Sequence, residues 1–343
     1  MKHKNIAIFV PHAGCPYCCA FCDQRTITAQ TELPRAEDVR RICQQAFSEI
    51  ADLSETEIAF FGGSFTAIPR AYMTELLEAA QPFAERCRGI RISTRPDCIS
   101  GEILTLLKAY HVTAIELGAQ SLDDAVLLAN DRGHTAEDVY KASDLIQKNG
   151  FELGLQIMPG LYGASQDSDF RTRNAICEIR PDTVRIYPVV ILKGTKLGDL
   201  YESGVYQPRP FADMVEETAQ TMRLFAEEGI RVIKVGLHAS EFVQERLLGG
   251  YYHPAFRELC ESVTFRGCME TAIAQHSGLL SGNGRYRTED WAENRTFAVH
   301  PTCISKAVGH KRANLLYFRD TYGIDITIIG DGSVPPYQAE IRE

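Results

Sequence analysis

Four cysteines fall within eight residues, Cys15-Pro16-Tyr17-Cys18-Cys19-Ala20-Phe21-Cys22. They follow an apolar run, Ile6–Val10, and a loop opener, Pro11-His12-Ala13-Gly14. Thiols crowded into a loop just after a first strand read as a metal or iron–sulfur site. Two spacings are present. One is Cys15-x3-Cys19-x2-Cys22; the other is Cys15-x2-Cys18 followed by Cys19-x2-Cys22. The second suggests zinc, but paired zinc knuckles stand roughly 12–20 residues apart and these pairs abut, so one tetrahedral zinc fits poorly. A disulfide framework is disfavoured as well. The chain has 11 cysteines in 343 residues and opens on no signal-like segment. The other seven (Cys43, Cys87, Cys98, Cys177, Cys260, Cys268, Cys303) are scattered and read as small buried hydrophobes.

Further polar groups recur where strands are expected to end. Phe60-Phe61-Gly62-Gly63-Ser64 carries two glycines that let backbone approach closely. Ser93-Thr94-Arg95-Pro96-Asp97, Glu116-Leu117-Gly118-Ala119-Gln120-Ser121, Asp131-Arg132-Gly133-His134-Thr135, Gln156-Ile157-Met158 and Arg185-Ile186-Tyr187-Pro188 follow. One such group is a capped loop. Five in succession describe a pocket rim suited to a nucleoside with a carboxylate: arginine for the acid, amides and hydroxyls for ribose, apolar groups for the base. His12, His134, His238, His253 and His310 read first as hydrogen-bonded structural groups.

The elements that must position these residues alternate. Strands are expected at Ile6–Val10, Glu57–Phe61, Gly89–Thr94, Ala114–Leu117, Phe151–Met158, Thr183–Val190 and Ile230–Val235. Between them come helices at Arg35–Ile50, Tyr72–Phe83, Glu102–Tyr110, Asp123–Asn130, Ala136–Asn149, Phe170–Ile179 and Phe211–Glu228. Six repeated β/α units argue an α/β fold with a parallel sheet, either open or a partial barrel. Sites in such folds gather at the carboxyl ends of the strands, where the cysteine loop sits. Past about residue 237 the pattern changes, with a turn at Gly249-Gly250-Tyr251-Tyr252-His253-Pro254 and a break at Ser281-Gly282-Asn283-Gly284. Residues 1–236 are therefore read as the barrel and 237–343 as a small α+β accessory domain. Hydrophobic content of 45% and charged content of 24% suit a globular chain with a real core. No apolar run approaches the ~20 residues of a membrane helix. The net charge of −9 disfavours a generally basic nucleic-acid wrapper but allows a local basic patch. Free thiols and an oxygen-sensitive site point to a reducing cytoplasm. Asn294-Arg295-Thr296 is a glycosylation triplet by pattern only.

Cys15-x3-Cys19-x2-Cys22 with Phe21 before the last cysteine resembles the signature of radical S-adenosylmethionine (SAM) enzymes. That resemblance implies a 4Fe–4S cluster held by Cys15, Cys19 and Cys22, with one iron left for SAM and Cys18 spare. Glu116-Leu117-Gly118-Ala119-Gln120-Ser121, Arg132-Gly133-His134-Thr135, Met158-Pro159-Gly160-Leu161, Arg180-Pro181-Asp182 and Arg185-Ile186-Tyr187-Pro188 are similar to the radical SAM part of the Elongator catalytic subunit. Relatives of oxygen-independent coproporphyrinogen III oxidase share a looser version. The resemblance covers roughly residues 5–235. It implies a partial (β/α)6 TIM-type barrel of the radical SAM kind, and SAM contacts from Phe21, Gly62, Gly63, Gln120, Arg132 and Tyr187. Ser64 stands where an acid usually follows the glycines, Ser93 where a glutamate is usual, and Gln156 where the oxidase has an aspartate; these three are carried over as cofactor-binding too. An acetyltransferase domain like that of the Elongator subunit is not expected within these residues, so acetyl-CoA chemistry is not carried over.

The tail, about 300–330, resembles a KH domain, in which a short loop between helices grips nucleotide backbone. Gly309-His310-Lys311-Arg312 is that loop, with Arg312 replacing the usual second glycine and adding charge for phosphate. The reading is thus an enzyme that cleaves SAM reductively to a 5′-deoxyadenosyl radical, which takes hydrogen from a substrate. The substrate is first a nucleoside in tRNA or another RNA, and alternatively a small molecule such as a tetrapyrrole. A non-enzymatic iron–sulfur electron-transfer protein is the reading from another class. The expected partners are an electron donor such as a flavodoxin or ferredoxin, and RNA, with no membrane. No side-chain acid or base is named.

Overall fold

The computed structural model describes residues 4–11, 15, 18–23, 32–238, 241–276 and 295–342. His12, the break at 281–284 and Asn294 lie outside the described residues. Strands β1 (Lys4–Val10), β2 (Thr56–Gly62), β3 (Gly89–Thr94), β4 (Val112–Gln120), β5 (Glu152–Ile157), β6 (Thr183–Ile186), β7 (Val190–Leu192) and β8 (Arg231–Val235) follow in turn. All but β7 form one seven-stranded sheet in chain order, and every neighbouring pair is parallel. β1 and β8 are its two edges, so the sheet is a partial barrel. Helices α1 (Ala36–Glu49), α2 (Arg70–Ala84), α3 (Gly101–Ala109), α4 (Asp124–Ala129), α5 (Ala136–Lys148), α6 (Gln166–Ile179), α7 (Lys196–Glu202) and α8 (Phe211–Glu227) connect them. Ser100, Thr135 and Ser165 cap α3, α5 and α6 through their hydroxyls, satisfying first-turn N–H groups. The Ser165 cap starts α6 four residues before the position expected from apolar spacing alone.

Strand alternation sorts the side chains. Ile58 and Phe60, Ile90 and Ile92, Ile115 and Leu117, Leu153 and Leu155, and Val184 and Ile186 are buried on one face. The opposite face is polar and lines the barrel interior. Its members include Glu57, Arg91, Ser93, Glu116, Glu152, Gln156, Arg185 and Lys234. Low in the interior Arg91 is fully buried between Glu57 at 2.7 Å and Glu152 at 2.5 Å, and Arg88 reaches Glu152 at 2.7 Å. The upper members of the same face line a cavity.

Strand six is shorter than the sequence suggests. It stops at Ile186: Tyr187 N–H still bonds the Ile157 carbonyl at 2.9 Å, and Pro188 then has no N–H to give. Val190–Leu192 instead pairs antiparallel with β9 (Leu247–Gly250), which follows α9 (Glu241–Arg246). Gly249 and Gly250 therefore belong to a strand, not to a turn. This pairing keeps residues 237–252 with the barrel. The chain divides into Met1–Arg209 with Phe225–Tyr252, and Pro210–Leu224 with His253–Glu343. A single cut near 237 misses both the strand and the earlier excursion. The second unit has α10 (Phe256–His276), β10 (Arg295–Val299), α11 (Ile304–Val308), α12 (Ala313–Tyr322), β11 (Ile326–Gly330) and β12 (Ala339–Arg342). β10 is central, parallel to β11 and antiparallel to β12. Met269, Ile273, Phe297, Phe318 and Ile326 form its core, the small α+β body expected after the barrel.

Candidate active site

The thiol loop is tied down at Ala20, which is buried. Ala20 donates its N–H to the Asn130 carbonyl (3.1 Å) beyond β4, and its carbonyl accepts from Leu197 N–H (2.8 Å) at the start of α7. Cys22 N–H closes a turn on the Cys19 carbonyl (3.0 Å). Cys15 receives the backbone N–H of Ser64 from the loop after β2. Cys19 Sγ receives Arg132 Nη1 at 3.0 Å, and Arg132 Nη2 donates to the Gly118 carbonyl at 2.6 Å. All three thiols, with Cys18, line a cavity of about 540 Å³ at the carboxyl ends of the strands.

Burial pushes the Cys22 thiol up to about 12, with the neighbouring Cys19 and Cys15 adding to it. Cys15 is raised for the same first reason, against the lowering effect of the Ser64 N–H, Arg95 and Arg132. For Cys15 and Cys22 burial and the neighbouring thiols outweigh the nearby arginines. Iron supplies further positive charge, and metal binding deprotonates a coordinating thiol outright. Among the described residues no three of the His, Cys, Asp and Glu side chains could share one metal ion. A cluster does not require that, since each thiolate takes its own iron. The residues fit the group.

The other expected site residues line the same cavity: Phe21, Gly62, Gly63 and Ser64, then Ser93, Gln120, Arg132, Gln156 and Tyr187. Gly62 has φ +119°, and a Cβ there would lie 2.7 Å from the Val10 carbonyl oxygen. Gly63 N–H holds the same oxygen at 2.9 Å. The first glycine thus serves the β1–β2 approach itself. Gly62→Ala is expected to lower stability by about 1–3 kcal/mol, read as a lower urea midpoint at unchanged m-value; an unchanged midpoint would contradict it. Ser64 and Arg132 are buried, and among the described residues Ser64 Oγ and Arg132 Nε have no partner. Gln120 sits at a ladder irregularity with φ +65°, and its Oε1 accepts from Gln156 Nε2 at 3.2 Å. Burial first, then the Arg132 and Arg95 charges, lower His134 to about 4. His134 Nε2 meets the Ala119 carbonyl at 3.2 Å, a neutral structural ring.

Several lining residues have no role that the sequence assigns. Arg95 clamps Asp97 with two bonds of 2.9 Å and donates to the Arg132 carbonyl at 2.5 Å. Glu116 accepts from Arg185 Nε at 2.6 Å, and Ser93 Oγ lies 3.5 Å from its other oxygen. Arg185 also stacks over Phe61 (5.0 Å) and donates to Tyr187 Oη (3.4 Å). The Glu116–Arg185 pair crosses an intervening strand, and β5 carries Gly154 there; a Cβ would come within 3.3 Å of Glu116 Cγ. Lys234 and His238 complete the wall. The polar face of the strands is the signal that could have found these.

Gly309, His310, Lys311 and Arg312 form the turn between α11 and α12 in the second unit. Gly309 has φ +84°, and a Cβ would meet Ser262 Oγ at 2.5 Å, so packing on α10 alone explains it. His310 lies 3.8 Å from Glu258 and edge-on to His253. Lys311 and Arg312 are exposed, both with positive φ.

Comparison with known proteins places this geometry. The radical SAM superfamily profile matches residues 9–171, and the radical SAM C-terminal domain profile matches 181–264. A tRNA uridine(34) acetyltransferase of Dehalococcoides mccartyi is 28% identical over 246 residues, 61% of this chain and 53% of that one. Human Elongator complex protein 3 is 28% identical over 194 residues, 50% of this chain and 36% of that one. The chain thus spans about half, or less, of the length of these relatives. The solved archaeal Elp3 of Methanocaldococcus infernus superposes with a TM-score of 0.61 at 21% identity, covering 81% of this chain and 64% of that one, and shares the fold. With both profiles matched in succession along a parallel half-barrel whose thiol loop lies at its carboxyl rim, the chain belongs to the radical SAM superfamily of enzymes, whose cofactors are a 4Fe–4S cluster and SAM.

Proposed function

We propose that this chain is a radical SAM enzyme acting on a nucleoside within RNA, tRNA before any other. Its similarity to tRNA uridine(34) acetyltransferases carries the RNA part of the reading. Acetyl transfer is not part of the proposal. When bound, the cluster and SAM supply an electron, a reductive carbon–sulfur cleavage and a 5′-deoxyadenosyl radical that removes hydrogen from substrate. The chain's own residues hold and orient. Cys15, Cys19 and Cys22 ligate the iron. Arg132 steadies Cys19 and, through Nε, has a donor left for a ligand. Gly62, Gly63, Ser64, Ser93, Gln120, Gln156, Tyr187 and Phe21 surround SAM. Apolar walls at Phe9, Phe61, Val190 and Leu192 exclude water. A flavodoxin or ferredoxin in a reducing cytoplasm supplies the electron. No helix among the described residues is long and apolar enough to cross a membrane.

The test is 5′-deoxyadenosine formation by anaerobically reconstituted protein with dithionite and SAM, with and without bulk tRNA. Formation is expected to rise strongly with tRNA. Slow formation indifferent to tRNA would move the substrate to small molecules such as tetrapyrroles. None at all with the cluster intact would leave an electron-transfer or binding protein.

A further inference from the structure

The ion pairs inside the barrel differ in where they face. Arg91, with Glu57 and Glu152, is not among the residues that line the cavity. Glu116 and Arg185 do line it, as do Phe61 and Tyr187 beside them. A buried ion pair adds little to stability once its desolvation is counted, so one built into a ligand wall asks for another use. Glu116 on β4 is buried and accepts from Arg185 Nε on β6 at 2.6 Å, past Gly154 on the strand between. That bond fixes a planar guanidinium. The guanidinium covers the Phe61 ring at 5.0 Å. Its Nη1 donates to Tyr187 Oη at 3.4 Å, a long contact of the kind that tightens when a ligand fills a site. The Tyr187 backbone has its own anchor, the N–H bond to the Ile157 carbonyl at 2.9 Å.

A guanidinium can only donate. The Tyr187 oxygen must therefore accept from Arg185, and its own O–H is left to donate elsewhere. Burial raises the phenol against the lowering effect of Arg185, so it stays protonated at neutral pH. Among the described residues no acceptor takes that proton. A ligand in the cavity that Tyr187 lines can take it. We infer that Glu116 and Arg185 are positioning residues for SAM: Glu116 fixes the guanidinium, and the guanidinium sets the Tyr187 hydroxyl as a donor to an oxygen or nitrogen of the bound SAM. The inference rests on the reading above that Tyr187 faces SAM, and not on the RNA substrate.

The test is SAM binding in a double-mutant cycle. Equilibrium dialysis of labelled SAM against the anaerobic, cluster-loaded full chain, with the cluster left oxidised so that SAM is not cleaved, gives Kd for each protein. Tyr187→Phe is expected to raise Kd by about threefold to tenfold, the worth of one hydrogen bond. Arg185→Lys keeps a positive charge beside Glu116 but lacks the planar fork that holds two partners at once. It should raise Kd by a similar factor alone, and hardly at all in the Tyr187→Phe background, because the hydroxyl it would orient is gone. Glu116→Gln should repeat this pattern, and it takes the place of Arg185→Lys should that protein fail to give a wild-type circular dichroism melt. A wall that merely held its shape would lose affinity equally in both backgrounds. Such a persistent loss, or a wild-type Kd in Tyr187→Phe, overturns the inference. Wild-type protein with an intact cluster that binds no SAM defeats the SAM reading of the cavity itself, visible before any variant is made.

Discussion

Cys19→Ala protein, reconstituted anaerobically with iron and sulfide, is expected to hold no 4Fe–4S cluster and to form 5′-deoxyadenosine only at background. Cys18→Ala protein should hold a full cluster. The two thiols are adjacent in sequence, so the contrast tests geometry and not composition. Cys19 sits under the Arg132 guanidinium at 3.0 Å, and the turn that carries it is pinned at Ala20 by Asn130 and by Leu197 at the start of α7. Cys18 is exposed at the cavity wall. Cys15→Ala and Cys22→Ala should match Cys19→Ala, because each removes one of the three thiolates that would hold the irons. Iron and sulfide analysis, with the broad visible absorption of the cluster, reads the result. Retention of the cluster in Cys19→Ala and its loss in Cys18→Ala would reverse the ligand assignment.

The thiol loop and the strand ends were legible because both are local. Period-two strands bounded by glycine and proline announce themselves, and a parallel fold puts their carboxyl ends on one rim. Every candidate cofactor residue drawn from those ends lines the one cavity, although lining alone does not assign a role. The Glu116–Arg185 pair was hidden for a physical reason. It joins strands that are not neighbours, 69 residues apart, and the Glu116 side chain passes over Gly154, where a Cβ would crowd it. Lys234 was hidden differently: a lysine in a short edge strand looks like a solvated charge until the sheet curls it inward. The domain boundary was obscured by β9, whose two glycines mimic a turn and whose partner lies far upstream. The tail turn was read from its resemblance to a KH loop, while the glycine at its start is accounted for by packing on α10.

Arg91→Leu is expected to cost about 3–5 kcal/mol of stability. Arg91 and Glu57 are both fully buried, and their bond is 2.7 Å. Removing the guanidinium takes the 2.7 Å ion pair from the buried Glu57 carboxylate, and Arg88, at 3.8 Å, is beyond hydrogen-bond reach of it. A buried carboxylate that has lost this ion pair would raise its pKa in the folded state above the unfolded value of about 4.3. A folded pKa raised in this way gives stability that is present below the unfolded pKa and lost as pH rises through the folded one. The deficit of the variant relative to wild type should therefore be greatest at pH 7 and shrink as pH falls towards 5. Adding Glu57→Leu should recover part of the loss at pH 7 and remove most of its pH dependence, because the buried charge goes with it. Urea unfolding of the apo protein at both pH values, followed by circular dichroism, measures all three proteins. A loss below about 1 kcal/mol, or one that does not change with pH, would mean that water or a shifted Arg88 already satisfies Glu57, and that the buried pair positions the strands without being needed to hold them.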